Sequence, residues 1–159
     1  MQPPRYAAES TIPEVPYRPG ISTRDPNFHI ETSPGSQDWR TDIGYLHGID
    51  LFNHSCYWEA HEAWEHRWLP LTEPDLLRTH LQGLIQASAS LLKLVSGQPE
   101  PARTIWSRGR ARMLAIAEDS PDETYHGIEI PPLIRVLDAL IEKGDADFDA
   151  PTIHLIGWT

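Results

Sequence analysis

The chain is short of several things, and each shortage excludes something. It has one cysteine, Cys56, in 159 residues. No internal disulfide can form, and the simplest home is a reducing cytoplasm. Positive charge is scarce: 13 Lys and Arg stand against 23 Asp and Glu, for a formal net charge of −10. A field of that sign opposes non-specific binding to nucleic acid or to an anionic membrane. Long apolar runs are missing. Mean hydropathy is −0.43, and no segment approaches the ~20 consecutive apolar residues of a membrane-spanning helix. The opening "MQPPRYAAESTIPEVPYRPG" has no apolar h-region, so no secretory signal is expected. A cytoplasmic protein without nucleic-acid or membrane partners is the expectation.

What is present begins with proline. Residues 1–37 carry seven of the 15 prolines, and each fixes φ and removes a backbone donor. We read residues 1–40 as an extended arm, disordered or laid across the domain, with Tyr6, Val15, Tyr17 and Phe28 favouring partial docking. From Thr41 the apolar spacing becomes helical. The first helix is expected from Thr41, as N-cap, to Asn53. A second starts after a turn at Asn53–Ser55, with Ser55 as N-cap, and stops at Leu69 before Pro70. A third opens near Pro74 and ends at Gly97. A fourth covers 101–119, residues 120–130 form a loop, and a fifth runs over 131–144. No strand pairs are evident. The expected fold is all-α, about five helices packed as antiparallel hairpins over 41–144, with an extended tail at 145–159.

The densest chemistry lies in "FNHSCYWEAHEAWEHRW", residues 52–68. With Tyr57 at 0° and ~100° per residue, Ala60, Trp64, Tyr57, Trp68 and Trp58 define one broad apolar face. His61 and Glu65 fall inside it and Glu62 at its edge, while Glu59, Ala63, His66 and Arg67 point away. A carboxylate among indoles needs partners. His61 supplies one from four residues away. Gln82 and Gln86 of the third helix are candidates for the rest, on a side rich in Gly83, Ala89 and Ser90 that suits close approach of another helix. His80 lies on the opposite, apolar arc.

Four readings follow. His61, Glu65, Gln82 and Gln86 form a buried network that fixes helix register. The same groups, with Asn53, Tyr57, Glu62 and Trp68, line a small-ligand pocket. His61, Glu62 and Glu65 act as an acid–base or metal-dependent hydrolase. Or the cluster is structural and the aromatic arms contact a protein partner, including a second copy of the chain. No cofactor is expected; a divalent metal on His61 and Glu65 is the alternative, since "HEAWE" shares only the first half of His-Glu-x-x-His. Cys56 and His61 diverge on one helix, which disfavours a nucleophilic pair. The arginines at 103, 108, 110 and 112 spread around the fourth helix, which favours salt bridging over phosphate binding.

The blocks "LFNHSCYWEAHEAWEHRW" and "LQGLIQASASLLKL" resemble the signature of a small all-helical family catalogued as domain of unknown function three hundred and nine. Phe52, Asn53, Tyr57, Glu59, Ala60, His61, Glu62, Glu65, Trp68, Gln82, Gly83 and Gln86 carry the resemblance, over roughly residues 41–118. It implies a helical fold with a functional focus at the two blocks, and no reaction. One hairpin here is similar in geometry to a tetratricopeptide unit, but no second copy follows at the ~34-residue period such arrays need.

Overall fold

A computed structural model describes residues 2–159. Five α-helices make the body: α1 (Ile43–Asn53), α2 (Tyr57–Trp68), α3 (Leu76–Val95), α4 (Pro99–Glu118) and α5 (Ile130–Lys143). The fold is all-α, with α1 against α2, α2 against α3, α3 against α4 and α4 against α5. Among the described residues no helix is long and apolar enough to cross a membrane.

Local chemistry sets the boundaries. The cap of α1 is Asp42, not Thr41: its carboxylate accepts the Tyr45 N–H at 3.3 Å. Ser55 is not a cap either. It sits at φ 62° in the turn, and α2 starts from Cys56 without a side-chain cap bond. Asp75 caps α3 through the Leu77 N–H. At its end, α5 stops at Gly144, which adopts φ 75°. Residues 120–130 are not wholly irregular. Thr124–Tyr125 (β1) pairs antiparallel with Ile128–Glu129 (β2) around His126–Gly127. Both turn residues have positive φ, 45° and 81°, as a two-residue hairpin loop requires.

Two close approaches shape the bundle. Gly48 of α1 faces the Trp64 indole of α2, and a Cβ there would overlap the ring. Trp64 is fully buried and donates its Nε1–H to the Tyr45 carbonyl at 3.1 Å. Gly83 and Gly109 let α3 and α4 meet backbone to backbone: a Cβ on Gly109 would lie 3.3 Å from the Gly83 carbonyl oxygen. The small-residue side of α3 therefore does admit another helix, and that helix is α4.

No helix or strand forms before Trp39 among the described residues. This stretch lies across α1 and α2, held by buried polar side chains that receive it. Asp50, fully buried, accepts the Tyr6 and Ala7 N–H groups at 2.8 Å each and Arg5 Nε–H at 3.0 Å. His47 takes the Glu31 N–H at Nδ1 (3.3 Å) and donates from Nε2 to the Thr11 carbonyl (2.8 Å). The tail docks one turn on: Asn53 exchanges two hydrogen bonds with the Ile153 backbone, at 2.9 and 2.7 Å. Arm and tail also meet, because the Leu155 N–H donates to the Tyr6 hydroxyl at 2.9 Å. Three of the four arginines of α4 are engaged, Arg103 with Glu100 and Arg110 with Asp138 in salt bridges and Arg112 with Gln86 in a hydrogen bond.

Candidate functional site

The buried arc of α2 is rotated away from the one its aromatics suggest. Tyr57, Glu59, Ala60, Ala63 and Trp64 are buried, while Glu65 and His66 are exposed and Trp58 and Trp68 only partly covered. The cause is packing. The alanines permit close contact with α1 and α3, as small residues do at helix crossings. Trp58 instead meets the arm residue Tyr17 edge-on, with centroids 5.1 Å apart, and Trp68 lies beneath the Arg78 guanidinium at 4.4 Å. Both rings are spent on the surface layer.

The expected cluster consequently divides. His61 and Glu65 do pair, Nε2 to Oε2 at 3.4 Å, but the Glu65 side chain is 50% exposed, so the pair lies at the surface. Gln86 accepts from Arg112 of α4 at 3.1 Å and does not face the glutamates. Gln82 lies half-buried beside it, with no bond to α2. Asn53 is the tail clamp. Tyr57 is buried against Phe52 and Phe148, and burial pushes its hydroxyl up to about 12. The Cys56 thiol is likewise pushed up to about 12 by burial, which leaves no thiolate for nucleophilic work at neutral pH.

Glu59, assigned to the solvent side by the helical wheel, is 3% exposed. The arm covers it: Oε2 accepts the Tyr17 N–H at 2.9 Å, while Oε1 is buried without a partner. Desolvation raises its pKa, against the pull of the Tyr17 N–H. One turn on, Glu62 accepts from Arg24 Nη2 at 2.5 Å, and that guanidinium lies 5.4 Å from the Tyr17 ring centroid and 5.8 Å from that of Trp58. Arg24, Asp25, His29, Glu59 and Glu62 contribute to the walls of a cavity of about 300 Å³ between arm and helix. Among the described residues no group of three or more His, Cys, Asp or Glu is arranged to hold a metal ion.

A second polar cluster was not anticipated. The Tyr45 hydroxyl donates to the His126 carbonyl at 2.8 Å and lies 3.2 Å from His80 Nε2. With its proton committed, that hydroxyl accepts from Nε2–H, which makes His80 Nδ1 a bare lone pair; Nδ1 is buried and unpartnered. Burial lowers His80 to about 3 and His126 to about 4, so both imidazoles are neutral at pH 7. Tyr125 stacks on His126 at 4.2 Å and meets His80 edge-on at 4.7 Å. The sequence signal was "YHG", a turn dipeptide after an aromatic; nothing in residue spacing ties it to Tyr45 or His80.

No curated protein and no solved structure matches this chain. One family model does, over residues 45–105, from the first turn of α1 to the first turns of α4. That span contains both sequence blocks, His80, Glu59 and the Asp50 and Asn53 anchors, and leaves out both extended arms. Its description is Domain of unknown function (DUF309), and residues 45–105 of this chain match it.

Proposed function

We propose that the chain is a small-ligand-binding protein whose site is the cavity between the N-terminal arm and α2, and whose ligand is a small organic cation. The supporting observation is the Glu59 carboxylate, 3% exposed with one oxygen unpartnered. Leaving such an oxygen unpaired costs about 1–3 kcal/mol, more when charged. A donor carrying positive charge offsets both the missing bond and the desolvation. Glu62 lies on the same wall, already paired with Arg24. Phe28 and Ile30 give the cavity an apolar wall for the hydrocarbon part of such a cation. Of the candidate site residues singled out from sequence only Glu62 lines this cavity; Asn53, Tyr57, His61, Glu65, Trp68, Gln82 and Gln86 lie outside its walls.

An acid–base or metal-dependent hydrolase built on His61, Glu62 and Glu65 is the competing reading, and the 3.4 Å His61–Glu65 pair favours it. Glu62, however, is engaged by Arg24, and the described residues offer no three-ligand cluster.

The test is calorimetric titration at neutral pH with butylammonium and butylguanidinium, and 1-butanol as neutral control. Binding by the cations alone is expected. Glu59→Gln keeps an acceptor for the Tyr17 N–H and should weaken binding about tenfold or more, the equivalent of 1.4 kcal/mol. Unchanged affinity in that variant, or equal affinity for butanol, refutes the reading.

A further inference from the structure

A separate cavity of about 330 Å³ opens at the other end of α2, between residues 35–37 of the arm, the start of α3 and the β-hairpin. Arg67 and His126 both line it. Arg67 donates from Nε to Asp42 Oδ2 at 2.8 Å, with its side chain only 11% exposed. Neither Nη has a hydrogen bond to any described residue, so the outer edge of a nearly buried guanidinium is unspent. His126 is the first turn residue of the hairpin, at the φ of 45° that the turn requires. Its Nδ1 is buried without a partner. A buried, unpaired imidazole nitrogen on a residue of the cavity wall is an unmet hydrogen-bonding demand beside the free guanidinium edge.

We propose that this cavity binds an organic carboxylate, whose oxygens take the free Nη edge of Arg67 and the Nδ1–H of His126 while its hydrocarbon part lies against Leu71, Leu77 and Tyr125. The planar guanidinium fork matches a carboxylate in shape as well as charge. His126 is neutral near pH 7, because burial lowers it to about 4; the imidazole therefore carries one N–H, which the anion would fix on Nδ1. Three acidic residues lie close, Asp38, Asp42 and Asp75, and all are engaged; Asp38 accepts the Arg40 N–H at 3.0 Å. Asp42 accepts the Tyr45 N–H and the Arg67 Nε–H, and Asp75 accepts the Leu77 N–H. Each caps a helix N-terminus, whose partial positive charge offsets part of its own. The chemistry is opposite to that of the arm pocket, so neither proposal depends on the other.

Phenylacetate is the probe, phenylacetamide its uncharged isostere, and heteronuclear NMR of the full chain reads both affinity and location. Phenylacetate is expected to bind at roughly millimolar strength or better, shifting the Arg67 side-chain and His126 ring resonances, with the amide at least tenfold weaker. Arg67→Ala would strip the Asp42 carboxylate of its partner and risks unfolding. His126→Asn is the decisive variant, because asparagine tolerates positive φ. It should be at least as stable thermally and bind phenylacetate at least tenfold more weakly. No binding at millimolar probe, shifts confined to other residues, equal affinity for the amide, or unchanged affinity in His126→Asn would each overturn the proposal.

Discussion

Lowering the pH from 7 to 5 should destabilise the protein through His80 by an amount that its burial sets. Tyr45, Tyr125 and His126 surround the ring, and it is lowered to about 3 from an ordinary value of 6.5. Because the folded value lies below the unfolded one, the contribution to stability is complete above about pH 6.5 and declines as the pH falls toward 3. Between pH 7 and 5 the unfolded chain takes up most of a proton at this site and the folded chain almost none. With ~1.4 kcal/mol per pH unit of differential protonation, the loss is about 2 kcal/mol. His126 acts in the same direction, so wild type alone is not diagnostic. His80→Gln keeps a donor near the Tyr45 hydroxyl and removes the titration. Urea denaturation of both proteins at pH 7 and pH 5 isolates the residue. At a slope of about 2 kcal/mol per M, the wild-type midpoint should fall about 1 M further than that of the variant. Equal falls in the two proteins would show that His80 is solvated or already charged, and the buried-cluster account would fail.

Other outcomes are equally specific. Gly48→Ala drives a methyl into the Trp64 indole and should cost about 1–3 kcal/mol in chemical denaturation, with a change in tryptophan fluorescence; a neutral result would misplace Trp64. Asp50→Ala removes the acceptor of three arm hydrogen bonds and should cost about 2–4 kcal/mol while speeding tryptic cleavage after Arg24. Persistence of the wild-type digestion rate would mean that the arm is held elsewhere. Cys56, buried and with its thiol pushed up to about 12, should react with iodoacetamide only as fast as the native state opens; rapid native labelling would contradict its placement.

The order of the helices was legible because apolar spacing, prolines and terminal glycines report on local geometry. The helix ends were less so. Thr41 and Asp42 are both good cap residues, and spacing alone does not choose between them. The rotation of α2 misled for a physical reason: large aromatics were read as core, whereas Trp58 and Trp68 serve the arm and an arginine, and Ala60 and Ala63 face the neighbouring helices. Once the arc is turned, Glu59 moves inward and Glu65 outward. A helical wheel cannot foresee this, since the cover over Glu59 comes from Tyr17, 42 residues earlier. The family resemblance, matched by a family model over residues 45–105, was silent on the same point. The second cluster was illegible because Tyr45, His80 and His126 are distant in sequence and meet only when α1, α3 and the hairpin have packed.

Asp50 and Asn53 stand one turn apart on the same short helix, and each grips a different end of the chain. The Tyr6 phenol then waits for the backbone of residue 155 to reach it. The two straps thus share a tie of their own beyond the helix that holds each. Removing that one hydroxyl, as in Tyr6→Phe, therefore slackens both straps together.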